Sequence, residues 1–340
     1  MYKRSLCAIA LVLVTLPLFA AKRRSVAPGA AGRCTYGVIA DGIYASSIAQ
    51  DESYVYVTDE NSNTVVRVSK NGGTPLTLFD TSGLLVFSLA VDATTLYIGA
   101  SPGDIFDLKP GSIYAVPKAG GAMRTLTTGV LLPSDIATDD TFVYFVASGT
   151  IDFITGTAQA NGSVERVRKD GTQREKLAEN LSTPTTLALD ASNVYFSEAG
   201  FAASKPTGGV WRVAKGGGAA TLLTNGWLAD QIDQTANDVV FYGIRTDESQ
   251  LGLHRVPKSG GNVATVVLEE DVIAGPHVFG DFVYYVTYPD EQSDALMRVP
   301  VAGGAPVMLR EARLGEVDFV IDACAITYGT VDDTIVRVPR

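Results

Sequence analysis

Two histidines and a scatter of carboxylates are the residues of this 340-residue chain best suited to chemistry. His277 and Asp233 each stand in a recurring segment, at a position where other copies carry Ala49, Ala90, Ala137 or Ala188. Two residues earlier in the same register come Asp135, Gln231 and Asp318. A carboxylate beside an imidazole can orient a base or share a metal ion. Asp233 with His277 is therefore the catalytic candidate, with Asp135, Asp233, His277 and Asp318 as the metal candidates. The plainer reading is a satisfied polar pair beside channel water, and Pro276 next to the histidine points to an irregular strand. The chain has no GxSxG elbow, HExxH pair, EF-hand loop or phosphate-cradling glycine loop.

The elements that must position these residues repeat along the chain. Segments 47–59, 88–100, 135–147, 186–198, 231–243, 275–287 and 318–330 share an apolar run, an Asp-like turn and a strand of the V-Y-F/V kind. Each is followed by a second half such as TVVRVSKNGG (64–73) or GVWRVAKGGG (209–218), and then by a short apolar strand. Alternating patterns separated by turn residues, with no 3.6-residue period, indicate four short strands per unit. The glycines after the third strand supply the positive φ of tight hairpins, not a nucleotide cradle. Seven copies over residues 34–340 average about 44 residues, a length that suits the blade of a β-propeller. The expectation is an all-β, seven-bladed propeller of four-stranded antiparallel blades, with six blades as the variant.

The last copy stops after its third strand, and Cys34–Asp41 precedes the first inner strand with no partner of its own. This N-terminal strand can complete the last blade and close the ring, which removes two exposed edges. Cys34 and Cys324 then fall in one blade. A disulfide there would lock the clasp; the competing reading is two separate buried thiols.

The beginning of the chain reads as an address. Lys3 and Arg4 precede the apolar run Leu6–Ala21, which ends in small residues, so residues 1–21 are expected to be a signal peptide. Sixteen apolar residues are short for the roughly 20 of a membrane anchor. Residues 22–33 are expected to be a flexible leader, and 34–340 a single domain with no membrane span after cleavage. A secreted or periplasmic chain with an even pair of cysteines fits a disulfide. The net charge of −10 argues against nucleic-acid binding, and a monomer is expected.

Tyr56-Val57-Thr58-Asp59, with Val66-Arg67-Val68 and Gly72-Gly73 after it, resembles the YWTD-type repeat of lipoprotein-receptor propellers. The similarity runs through Asp51, Asp92, Asp139, Asp190 and Asp322, and through Arg67, Arg166, Arg212, Arg255, Arg298 and Arg337. The chain also resembles exported bacterial TolB-like, NHL-like and lactonase-like propellers. That resemblance implies an architecture and a bias toward binding, because one fold hosts many functions. The recurring Asp is expected to cap its turn, the Arg to pack between blades, and the lysines Lys70, Lys118, Lys169, Lys215 and Lys258 to sit at solvated hairpin tips.

Loop length divides the two faces. Connections between second and third strands are long and differ in every unit (101–111, 148–162, 197–208, 243–251, 287–294), and variable loops on a rigid scaffold tend to carry function. Their face gathers Asp59, Glu60, Asp104, Asp152, Glu198, Asp247, Glu248, Asp290 and Glu291. It would suit a cationic ligand, a basic protein patch or Ca²⁺; solvated loop acids are the plainer account. Trp227, just before an inner strand, is a further contact candidate, whereas His254 reads as packing. The first expectation is an exported binding module for a protein, glycan or small ligand. The alternative is a metal-dependent hydrolase of the lactonase or SMP-30-like kind, which would need a convergent channel set.

Overall fold

The V-Y-F/V segments become second strands because nearly every side chain on them meets protein. Tyr54–Asp59, Phe142–Ala147 and Asn193–Glu198 are buried over all but their first residue. Fourth strands alternate instead, as in Leu76–Asp80, where Leu78 alone is buried. A sheet covered on both faces near its inner edge and wet at its outer edge is the pattern of a blade in a ring.

The computed structural model describes residues 34–103, 107–202, 204, 208–248, 250–269, 271–290, 293–312 and 318–340. The signal and leader read in residues 1–33 lie outside these, as do Asp104 and Glu291. Seven four-stranded antiparallel sheets follow one another as blades 1–6 (residues 45–80, 84–130, 133–181, 184–222, 227–268 and 272–312) and blade 7. Blade 7 takes three strands from residues 320–339 and its outermost from Gly37–Asp41, which pairs with Thr334–Pro339 through Gly37↔Arg337 and Val38↔Val336. The ring therefore has seven blades, closed by the N-terminal strand. A disulfide joins Cys34 to Cys324 across 290 residues. Apolar packing forms one cluster per junction: Ile39, Val57 and Val320 meet where blade 7 touches blade 1, for example.

One face is a repeated ionic seam. In the first turn of blade 1, Asp51 Oδ1 accepts the N–H of Ser53 and Tyr54, each at 2.8 Å, and Oδ2 accepts the Tyr56 hydroxyl at 2.7 Å. Asp92, Asp139 and Asp190 repeat this with Tyr97, Tyr144 and Tyr195. The turn lysine of the next blade completes each site: Lys118 on Asp51, Lys169 on Asp92 at 2.6 Å, Lys215 on Asp139 at 2.9 Å and Lys258 on Asp190 at 3.6 Å. Lys70 of blade 1 closes the ring on Asp322 of blade 7 at 2.8 Å. The expected solvated hairpin tips are thus corrected. Four of these lysines set Nζ over the tyrosine ring of the preceding blade's turn, as Lys258 does over Tyr195 at 5.2 Å, so the charge reaches the carboxylate rather than water. Arginines return the contact: Arg67 donates to the Lys118 carbonyl at 2.6 Å and Arg212 to that of Lys258 at 2.9 Å. Burial alone would raise these carboxyls, but the lysines, tyrosines and turn N–H groups outweigh it, holding Asp92 and Asp139 at about 2.

Two seams depart from the rule together with their sequence. Between blades 5 and 6 the Asp, Tyr and Lys positions hold Thr235, Val240 and Val301; the Thr235 hydroxyl caps its turn by accepting the Asp238 N–H at 2.8 Å. Between blades 6 and 7 the Asp and Lys positions hold Phe279 and Arg340. There the Arg340 guanidinium lies 4.3 Å from the Phe279 ring centroid, a cation–π contact in place of an ion pair.

Candidate functional site

On the variable face, the loop of blade 3 folds into its own small hairpin, Ile151–Asp152 with Thr157–Ala158. Asp152 caps that tip by accepting the N–H of Ile154 and Thr155, leaving Ile154 75% exposed. Ala158 bridges to Ala202 of blade 4, which ties neighbouring loops together. Glu60, Asp247 and Glu248 are exposed, the last two flanking Arg245 at 3.0 and 3.6 Å. Glu60 also accepts a hydrogen bond from Ser46.

Asp59 and Glu198 do not join that face. Both are buried at the ends of second strands, where their carboxylates accept N–H groups from the connection leading into the inner strand, Asp59 from Tyr44 at 3.1 Å and Glu198 from Ser182 at 2.5 Å. A strand end beside an inner strand leaves backbone donors unpaired, and a short acid satisfies them. Trp227 is half-buried, its ring 4.5 Å from His254 and edge-on to Phe241 at 5.5 Å, which makes it part of blade 5's packing. His254 is 1% exposed, and burial pushes its imidazole down to about 4.

Near the axis, His277 and Asp233 are not partners. His277 Nε2 reaches Asp318 of blade 7, at 2.8 Å from Oδ1 and 2.7 Å from Oδ2, and its ring stands edge-on to Phe319 at 4.6 Å. Asp318 Oδ1 also accepts the Phe319 N–H at 2.8 Å. Asp233 turns to blade 6 through the backbone, its Oδ2 accepting the Val278 N–H at 2.8 Å while Oδ1 takes that of Gln234. Asp135 does the same two seams back, with Ile136 and with Leu187 of blade 4, each at 2.8 Å. Register decides this: an inner-strand residue facing the next blade meets that strand's free N–H before it meets a side chain. The four metal candidates do not converge; among the described residues no group of three or more His, Cys, Asp or Glu side chains could hold a metal ion.

The inner strands carry a further feature. In each of blades 1–6 the pairing of first and second strand slips, between Ala45/Ile48, Val86/Ser88, Pro133/Asp135, Pro184/Leu187, Ala229/Ile232 and Ala274/His277. Such bulges re-aim side chains. They present Ser46–Ser47, Phe87, Ser134, Thr185–Thr186, Asp230–Gln231 and Gly275–Pro276. Asp230 is the ionisable member, absent from the sequence-based candidates because its repeat position is level with Ser46 and Thr185. Thr185 and Thr186 donate to its backbone carbonyl at 2.8 and 3.1 Å. Burial nevertheless lifts that carboxyl to about 6. The signal that could have found it is composition, since Trp227–Gln234 carries Asp230, Gln231, Asp233 and Gln234 where other inner strands are mostly small or apolar.

The channel geometry is that of a familiar ring. The chain is a seven-bladed β-propeller. No protein-family model and no curated protein matches it. Among solved structures it is similar to YCF48 bound to a D1 peptide, at 10% identity over 93% of this chain and 98% of that one, with a TM-score of 0.57. It is similar to a puromycin-hydrolyzing peptidase of Mycobacterium tuberculosis at 13% identity, covering 84% of this propeller and 48% of that chain, with a TM-score of 0.58. Nidogen in its laminin complex is 20% identical over 66% of this propeller and 77% of that chain, with a TM-score of 0.45. At these identities the likeness is one of fold. Among the described residues no helix is long and apolar enough to cross a membrane.

Proposed function

We propose that the propeller is an exported binding module whose variable face receives a basic partner. One observation carries this reading: the two faces use their charges differently. Residues 34–340 hold 21 Lys and Arg against 37 Asp and Glu. Five of the lysines are spent in the seams of the opposite face. The variable face exposes Glu60, Asp80, Asp152, Asp247 and Glu248, and its bases Arg245 and Lys109 are each already paired with a neighbouring acid. Clustered charge of one sign raises local counter-ion concentration and steers an oppositely charged partner. Export is supported by the signal-like residues 1–21 and by the Cys34–Cys324 bridge, since disulfides persist in oxidising compartments.

The test is a calorimetric titration with a ten-residue lysine peptide over a salt series. Saturable binding should weaken at least tenfold from 50 to 200 mM salt. It should be lost in Glu60→Lys/Asp247→Lys/Glu248→Lys and kept in three equivalent reversals on the seam face. Equal loss in both triple variants would overturn the reading. The hydrolase alternative, with Ca²⁺ or another divalent metal in the channel, is supported instead if such a metal raises the melting temperature by several degrees.

A further inference from the structure

We propose that the variable face has a docking point at blades 5 and 6 for a protein segment that sets a large apolar side chain between lysines or arginines. The inference rests on that face receiving a basic partner, and it says where and by what the partner is held. Two apolar side chains stand out there. Leu268 ends the outermost strand of blade 5, opposite Gly252, and is 50% exposed. Tyr288 lies near the end of the second strand of blade 6, Phe282–Asp290, and is 49% exposed. One short connection links their backbones. The Glu269 N–H donates to the Leu251 carbonyl at 3.1 Å, and the Tyr288 N–H to that of Asp271 at 3.3 Å. Leu268 and Tyr288 thus flank Glu269 and Asp271, the second of them exposed.

Charge decides what such a patch can receive. On the same side of blade 5, Arg245 is taken by Asp247 and Glu248. No lysine or arginine among the described residues forms an ion pair with Asp271. The Tyr242 phenol at this junction is pushed up by burial first, and then by the Asp230, Asp271 and Glu269 carboxylates, which gathers three acids over one seam. Exposed apolar side chains elsewhere have the opposite company: Leu76 and Val307 lie at the seam ends of their outer strands, directly opposite Arg67 and Arg298. Only at blades 5 and 6 do the apolar pair and the acids coincide on the variable face. An apolar side chain laid on Leu268 and Tyr288 excludes water, which strengthens the ion pairs that flanking lysines make with Asp271 and its neighbours.

The test is calorimetric titration of the full chain with two acetylated hexapeptides of equal charge, KKWLKK and KKSGKK. The first should bind about tenfold tighter. Leu268→Ser/Tyr288→Ser should abolish that advantage while leaving KKSGKK, the ten-lysine titration and the melting temperature as in the parent. Leu76→Ser/Val307→Ser should bind both hexapeptides as the parent does, and Asp271→Lys should weaken both. Equal affinity for the two hexapeptides, no saturable binding of either, or an advantage that survives in Leu268→Ser/Tyr288→Ser would each overturn the docking point. A ten-lysine peptide that fails to bind while KKWLKK keeps its advantage would instead overturn the wider acidic face alone.

Discussion

Lys70 Nζ lies 2.8 Å from Asp322 Oδ2, although 252 residues separate them. This pair joins the first blade to the last. Burial would raise the Asp322 carboxyl, but Lys70, Arg337 and the Ala325 N–H hold it at about 2. Burial pulls Lys70 down more than Asp322 restores it. The carboxylate is thus the better-satisfied half. Asp322→Asn should cost about 3 kcal/mol and Lys70→Met less, because only the first strands two buried cations. Since the folded carboxyl is depressed, its stabilisation is full above pH 4 and lost as pH falls toward 2. Urea midpoints from pH 7 to pH 2 would show an acid loss that is smaller in Asp322→Asn than in the parent.

The exceptional seam between blades 5 and 6 tests whether the Asp–Lys rule is transferable. Val301→Lys alone should destabilise by about 1–2 kcal/mol, because the new ammonium faces Thr235. Thr235→Asp added to it should recover about 1 kcal/mol more than additivity allows. A double-mutant cycle by thermal denaturation measures the coupling; strict additivity would mean that seam geometry there forbids the pair.

Reducing or removing the Cys34–Cys324 bridge should release the closing strand before the rest of the ring. Its 290-residue separation predicts a loss of about 2–5 kcal/mol on the chain-entropy account. Hydrogen exchange should accelerate first at Gly37–Asp41 and Thr334–Pro339, in Cys34→Ala as in the reduced protein.

His254 makes acid a stress on blade 5. The unfolded imidazole takes a proton near pH 6.5, but burial holds the folded one at about 4. Stability is therefore full above pH 6.5 and falls, by up to about 3 kcal/mol, as pH drops to 4. His254→Phe keeps the ring against Trp227 and Phe241 and should flatten that part of the pH–melting curve.

Asp230 acts in the opposite direction. Its folded carboxyl titrates near 6 against about 4 unfolded, so stability declines as pH rises through that window. Asp230→Asn should match the parent at pH 4 and exceed it by up to about 2–3 kcal/mol above pH 6.

Most of the architecture was legible in the residues. Seven copies of one strand rhythm imply seven blades, and a last copy lacking its fourth strand implies closure by Cys34–Asp41. The seam was half legible. Asp92 and Lys169 are each visible as repeat features, but their pairing spans 77 residues and depends on how one blade leans on the next. The same distance misdirected His277 toward Asp233, because the register that selects Asp318 is set by the ring. Asp230 was hidden by a bulge that shifts phase within the inner strand.

The sequence by itself determined the repeat, its turns, the cysteine pair and the excess of acid, since these depend on local backbone preference and composition. Only the tertiary structure decided which charges meet. Ring closure brings residues from neighbouring repeats together, where a carboxylate finds a lysine, a backbone N–H or, at Asp230 and among the described residues, neither. Coulombic and hydrogen-bond energies follow that spacing, whatever the order of residues along the chain.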